Sequence, residues 1–139
     1  MPRFFALMLA FGLIGAAACS SRSTNFHGVK LGMTPGDVRQ RFLAPPGSWK
    51  ATSGEEMILD YSPDVGTVPK VRFEFHSGML VAIRATVAKQ DPVASGSREV
   101  TPGSVLSREP SGAEVSLVWL SRDCPTHKDE AERLVQRSP

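Results

Sequence analysis

The chain has little of what usually announces a chemistry. Two cysteines and three histidines occur among 139 residues, which excludes the disulfide-dense scaffolds common among small exported domains. His27, His76 and His127 are scattered, none at i, i+4 from another ligand, so no zinc or calcium pattern forms and no metal is expected. Phosphate-loop and nucleophile-elbow signatures are missing, and nothing else calls for a cofactor or a small-molecule ligand. An excess of one charge is lacking as well: 16 Lys and Arg face 14 Asp and Glu. Nucleic-acid binding wants basic residues in excess and gathered on one face, so it is set aside. The main apolar run, Phe4 to Gly15, has only twelve residues, against about 20 for a membrane-spanning helix.

What is present begins with that run. Arg3 and the terminal amine precede it, and Ala16, Ala17, Ala18 and Cys19 close it, which is the length and order of an export signal. It resembles a bacterial lipoprotein signal peptide, whose lipobox sets a larger apolar residue and two small ones before the modified cysteine. Ala17, Ala18 and Cys19 match, and Ala16 stands where leucine is commonest. The resemblance implies cleavage between Ala18 and Cys19, a diacylglyceryl thioether on Cys19, and usually a third acyl chain on the new amine. At about 0.8 kcal/mol per buried CH₂, two or three chains give a firm membrane anchor where one would not. Ser20 replaces the aspartate by which such lipoproteins are retained at the inner membrane, which implies the outer membrane of a Gram-negative envelope, facing the periplasm. A lipidated Cys19 cannot also pair, so Cys124 is read as a free thiol. The resulting division is 1–18 signal peptide, 19–26 lipidated cysteine and flexible tether, and 27–139 one α+β domain.

The domain opens on a helix signal. Thr34 at the cap, Pro35 at the first helical position and Asp37 behind them predict a helix of two to three turns. Met33 and Val38 take the staple positions, Val38 and Phe42 share a face, and Pro45–Pro46 forces the end. From Trp49 the period becomes two. Met57, Leu59 and Tyr61, then Val71, Phe73 and Phe75, then Met79, Val81, Ile83, Ala85 and Val87 alternate as strands with one buried face. Ser77–Gly78 predicts a tight hairpin turn within Val71 to Val87. Lys89 to Gly103 reads as loop with a short extended piece around Val100. A second hairpin is predicted from Val105–Arg108 and Glu114–Leu120, with Pro110 and Gly112 in the turn. The close is a helix capped by Thr126, with Asp129 in its first turn and Ala131, Leu134 and Val135 as its apolar stripe. The expected fold is therefore α+β: a small, mostly antiparallel sheet of two hairpins, with an N-terminal and a C-terminal helix covering one face.

Gly28, Val29, Leu31, Gly32, Met33 and Thr34, with Val38 one turn on, resemble the start of the SmpA/OmlA-like small outer-membrane lipoproteins. That resemblance implies helices packed on a three-stranded antiparallel sheet and a role as an accessory binding module with an envelope protein partner. Among groups able to carry chemistry, Cys124 lies ahead of a helix with His127 three residues on, a setting that favours thiolate. The second cysteine of a redox pair is missing and no base with an orienting group can be named, so packing beneath the helix is the preferred reading and no enzyme is expected. Glu55 and Glu56 are read as a solvated edge, and Trp49 and Trp119 as core. The expected function is a membrane-anchored binding or assembly-accessory module. The alternatives are an inhibitor-like domain acting through a loop such as Ser62 to Pro69, and a thiol enzyme using Cys124.

Overall fold

The computed structural model describes residues 25–64 and 70–137. The expected signal peptide, the expected lipobox with Ala18 and Cys19, and most of the expected tether lie outside them. Phe26, at the far end of the expected tether, is buried and bridges to Val29 through paired backbone hydrogen bonds. His27 and Gly28 form the turn between them with φ of 47° and 88°, the positive values that a tight turn of this kind requires.

Helix α1 runs Pro35–Arg41 and starts as its sequence dictates. Thr34 is extended, its Oγ1 accepts the Asp37 N–H at 3.2 Å and donates to the Asp37 carboxylate at 2.9 Å, and Pro35 opens the first turn. Phe42 returns to extended geometry ahead of the two prolines. The strands are β1 Gly47–Thr52, β2 Met57–Pro63, β3 Val71–His76, β4 Met79–Ala88, β5 Glu99–Val100, β6 Ser104–Ser111 and β7 Glu114–Ser121. A single 3₁₀ turn, Pro92–Ala94, leads into β5, and α2 spans Lys128–Gln136.

All seven strands join one antiparallel sheet in the order β1-β2-β3-β4-β7-β6-β5. The α+β class stands, but the sheet exceeds two hairpins. The addition is β1, a polar edge strand whose residues Gly47 to Thr52 pair with β2 and carry only Trp49 on the core face. The extended piece expected near Val100 is β5. In the last hairpin the turn is Gly112–Ala113, and Pro110 is a strand residue paired with Val115. It is tolerated there because β5 pairs only with Val105 and Leu106, which leaves the outer edge of β6 at Pro110 without a partner for the N–H that proline lacks.

The two helices cover opposite faces, not one. Neighbouring residues on a strand point oppositely, and the paired Ile83 and Trp119 lie in the larger core whereas the paired Ala82 and Leu120 lie in the smaller one. The larger core takes Val38 of α1 together with Val29, Leu59, Phe73, Phe75 and Val87. Five rings, Phe26, Phe42, Trp49, Tyr61 and Phe73, pack edge-on or tilted within it, with Phe26 and Phe42 stacked, geometries that add to plain area burial. The smaller core sets Ala131 and Leu134 of α2 on Ala82, Val105 and Leu120.

A bulge breaks the expected alternation of β4. Glu74 pairs with Ala82 but Phe75 pairs with Leu80, so Val81 is the extra residue and Leu80, not Met79 or Val81, fills the core position. Leu80 is 1 % exposed and Met79 53 %. The bulge also frees the Leu80 peptide groups for the lead-in to α1: Gly32 N–H donates to the Leu80 carbonyl and Leu80 N–H to the Met33 carbonyl, both at 2.8 Å.

Candidate functional site

Two features of this frame collect chemically distinctive side chains. The first lies on the α2 face. Glu74 and His76 are two apart on β3, so both project from the side of the sheet on which the segment preceding α2 comes down. That segment delivers Cys124 and His127, its tight turn closed by His127 N–H donating to the Cys124 carbonyl at 3.1 Å. Cys124 Sγ is 3.4 Å from Nδ1 of His127 and 3.4 Å from Nδ1 of His76. His127 Nε2 reaches Glu74 Oε2 at 2.7 Å. The other Glu74 oxygen accepts from Arg84 Nε at 2.8 Å, and Arg84 donates its two terminal nitrogens to both Glu130 oxygens at 2.8 Å. One chain of contacts thus runs from a thiol through an imidazole, a carboxylate and a guanidinium to α2.

Cys124, His127 and Glu74 are buried and His76 is half-buried. The carboxyl of Glu130 is held below its ordinary range, first by the hydrogen bonds from Arg84, with desolvation opposing. Arg84 is correspondingly fixed in its charged form by Glu130 and Glu74. His127 is the N-cap residue of α2 and supplies no side-chain cap; Thr126, the expected cap, stands one residue too early. A side chain turned into the protein toward Cys124 and Glu74 is not available to the first-turn amides. Among the described residues no group of three or more His, Cys, Asp and Glu side chains is arranged to hold a metal ion.

The second feature is a cleft on the α1 face. It has a volume of about 360 Å³ and is walled by Phe26, Phe42, Leu43, Pro45, Val71 and Val87, with His27 and Asp91 at its polar end. His27 Nε2 lies 3.0 Å from Asp91 Oδ2, which ties the N-terminal turn to the segment after β4. Leu43 is 73 % exposed, the largest exposure among the large hydrophobic side chains of the described residues. It sits where α1 has ended and the prolines have not yet turned the chain into β1.

The remaining sequence candidates fall as follows. Trp119 is buried and Trp49 half-buried, the latter against Phe42 and Tyr61 and beneath the Arg39 guanidinium at 5.8 Å, so both belong to the core. Glu55 and Glu56 stand in the turn between β1 and β2, Glu55 exposed and Glu56 with Oε1 buried and unpartnered. The loop Ser62 to Pro69 is described only through Asp64. No signal in the sequence joined Glu74 or His76 to Cys124, since 48 residues separate His76 from it. No family model matches the chain, nor does any curated protein or solved structure.

Proposed function

We propose that this protein is a lipid-anchored module of the bacterial cell envelope that binds a protein partner through the cleft beside α1. The observation that carries the reading is the apolar cleft itself, with Leu43 exposed at its lip. Its volume of about 360 Å³ lies near the lower end of ligand sites, a size suited to an anchoring side chain or short apolar segment of a partner. Exposed apolar surface beside a formed pocket is the usual mark of such contacts.

Placement relative to the anchor supports the same reading. Phe26 lines the cleft and stands seven positions after Cys19, a reach of at most about 25 Å even when fully extended. A lipid on Cys19 would hold the cleft within that distance of the membrane, where the partner is expected as an integral or peripheral envelope protein.

Two measurements test the proposal. Metabolic labelling with a fatty-acid analogue should mark the chain and disappear in Cys19→Ser; label that persists removes the anchor from the reading. Proteins recovered with the chain from detergent extracts should then be compared with those recovered by Leu43→Asp, a surface change that leaves folding intact. Loss of a partner in the variant is the expected result. An unchanged pattern, or none above background, refutes the cleft as the binding site.

A further inference from the structure

The α2 face holds a group that the binding role leaves unused. We propose that Cys124 is a hydroperoxide-reactive thiol, with His127 as its proton acceptor and Glu74 as the residue that positions His127. Proton placement follows from the contacts. The Glu74 carboxylate only accepts, so His127 Nε2 carries its proton toward Glu74 at 2.7 Å, and Nδ1 presents its lone pair to the thiol at 3.4 Å. The thiol has one proton to donate. With that proton directed to His127, His76 Nδ1, also 3.4 Å from the sulfur, meets it as an N–H donor. Moving the thiol proton to His127 therefore leaves a thiolate facing two N–H groups, beside an imidazolium that Glu74 already accepts from.

Access selects the reactant. Cys124 is 4 % exposed, and it lines neither the cleft beside α1 nor four further grooves on the described residues. An acyl substrate needs a groove leading to the sulfur, whereas a hydroperoxide brings only two oxygen atoms to it. In the step, the thiolate attacks one peroxide oxygen, the S–O bond forms and the O–O bond breaks. Sulfur is oxidised by two electrons to the sulfenic acid and the peroxide is reduced. The departing hydroxide takes the proton held on His127 and leaves as water.

The experiment treats the full chain with hydrogen peroxide for a fixed time, removes the peroxide with catalase, unfolds the chain in urea containing dimedone so that the trap reaches the sulfenic acid, and quantifies the peptide containing Cys124 by mass spectrometry, so that Cys19 does not contribute. At about pH 6 an ordinary thiol is less than about 1 % ionised, and burial alone makes the folded chain react more slowly than the chain unfolded in concentrated urea. The proposal expects the reverse order, with the folded chain at least about tenfold faster. His127→Asn should remove that advantage and return the pH profile to that of a free thiol. Glu74→Gln should move the same profile by less, a change that loss of packing alone does not produce. A folded chain slower than the unfolded one overturns the proposal, as does a folded His127→Asn variant with unchanged rate. If His127→Asn does not fold, the wild-type comparison and the Glu74→Gln profile decide it.

Discussion

Replacing Arg84 by methionine tests the network that joins α2 to the sheet. The guanidinium makes one hydrogen bond to Glu74 and two to Glu130, all at 2.8 Å, and methionine keeps most of the aliphatic stem while removing all three. Their worth depends on burial. The Glu74 side chain is 12 % exposed and that of Glu130 35 %. Leaving a fully buried charge without its partner costs about 3–5 kcal/mol, whereas an exposed pair contributes at most about 1 kcal/mol. Glu74 keeps His127 as a second partner, which places its share at about 2 kcal/mol, and Glu130 adds about 0.5 kcal/mol. Urea unfolding followed by circular dichroism should thus show a loss of about 2–3 kcal/mol near neutral pH, a midpoint shift of more than about 1 M. A pH dependence accompanies it. Because Arg84 depresses the Glu130 carboxyl below its ordinary 4.5, the Glu130 share of this stabilisation is complete above that value and is lost as pH falls through the lower folded-state value. The gap between wild type and variant should narrow accordingly in acid. Adding Glu74→Gln to Arg84→Met should recover part of the loss by removing the stranded charge. A loss below about 1 kcal/mol, or a gap that stays constant in acid, would refute the assignment of these bonds as the link that seats α2.

Three further substitutions, one of them a control, address the α1 lead-in and the β3–β4 turn. Gly28→Ala places a methyl group 2.5 Å from the Arg41 carbonyl oxygen at a φ of +88°, combining backbone strain with a clash that no side chain can relieve. A loss of about 3 kcal/mol is expected, seen as a fall in melting temperature of more than about 10 °C. Gly78→Ala, at φ +77° with open space around it, is the control and should cost about 1 kcal/mol; equal effects would disprove the close approach at Gly28. Thr34→Ala removes the acceptor for the Asp37 N–H and should destabilise by about 1 kcal/mol in the same melt, with no measurable change contradicting the cap.

What the sequence discloses about this fold is what is decided locally. The start of α1 is legible because Thr34, Pro35 and Asp37 act within one turn, and the β3–β4 hairpin because Ser77–Gly78 can take positive φ where alternating strands meet. Strand β1 is less so: five of its six residues are exposed, so it has almost no hydrophobic pattern and its place is fixed by pairing with β2. The bulge at Val81 is invisible in the same way, since Leu80, Val81 and Ala82 are all apolar and any could be read as the core position. The placement of α2 depends on which of two apolar faces of β7 each helix takes, and alternation alone does not choose. For Cys124 the sequence offered only His127. Glu74 and His76 reach it through the sheet, and Arg84 and Glu130 extend the chain of contacts across three elements.

The hydrogen bonds between the Gly32–Met33 lead-in and Leu80 have a mechanical consequence for a domain held by its N-terminus. A pull along the tether first meets the Phe26–Val29 turn and then passes through these two bonds into β4. That strand is paired with β3 and, from Ala82 on, with β7, so the load passes into a central strand of the sheet, not an edge strand that could peel away. The bulge that interrupts the hydrophobic alternation is thus also the point at which the fold would take up strain from the lipid anchor proposed at Cys19.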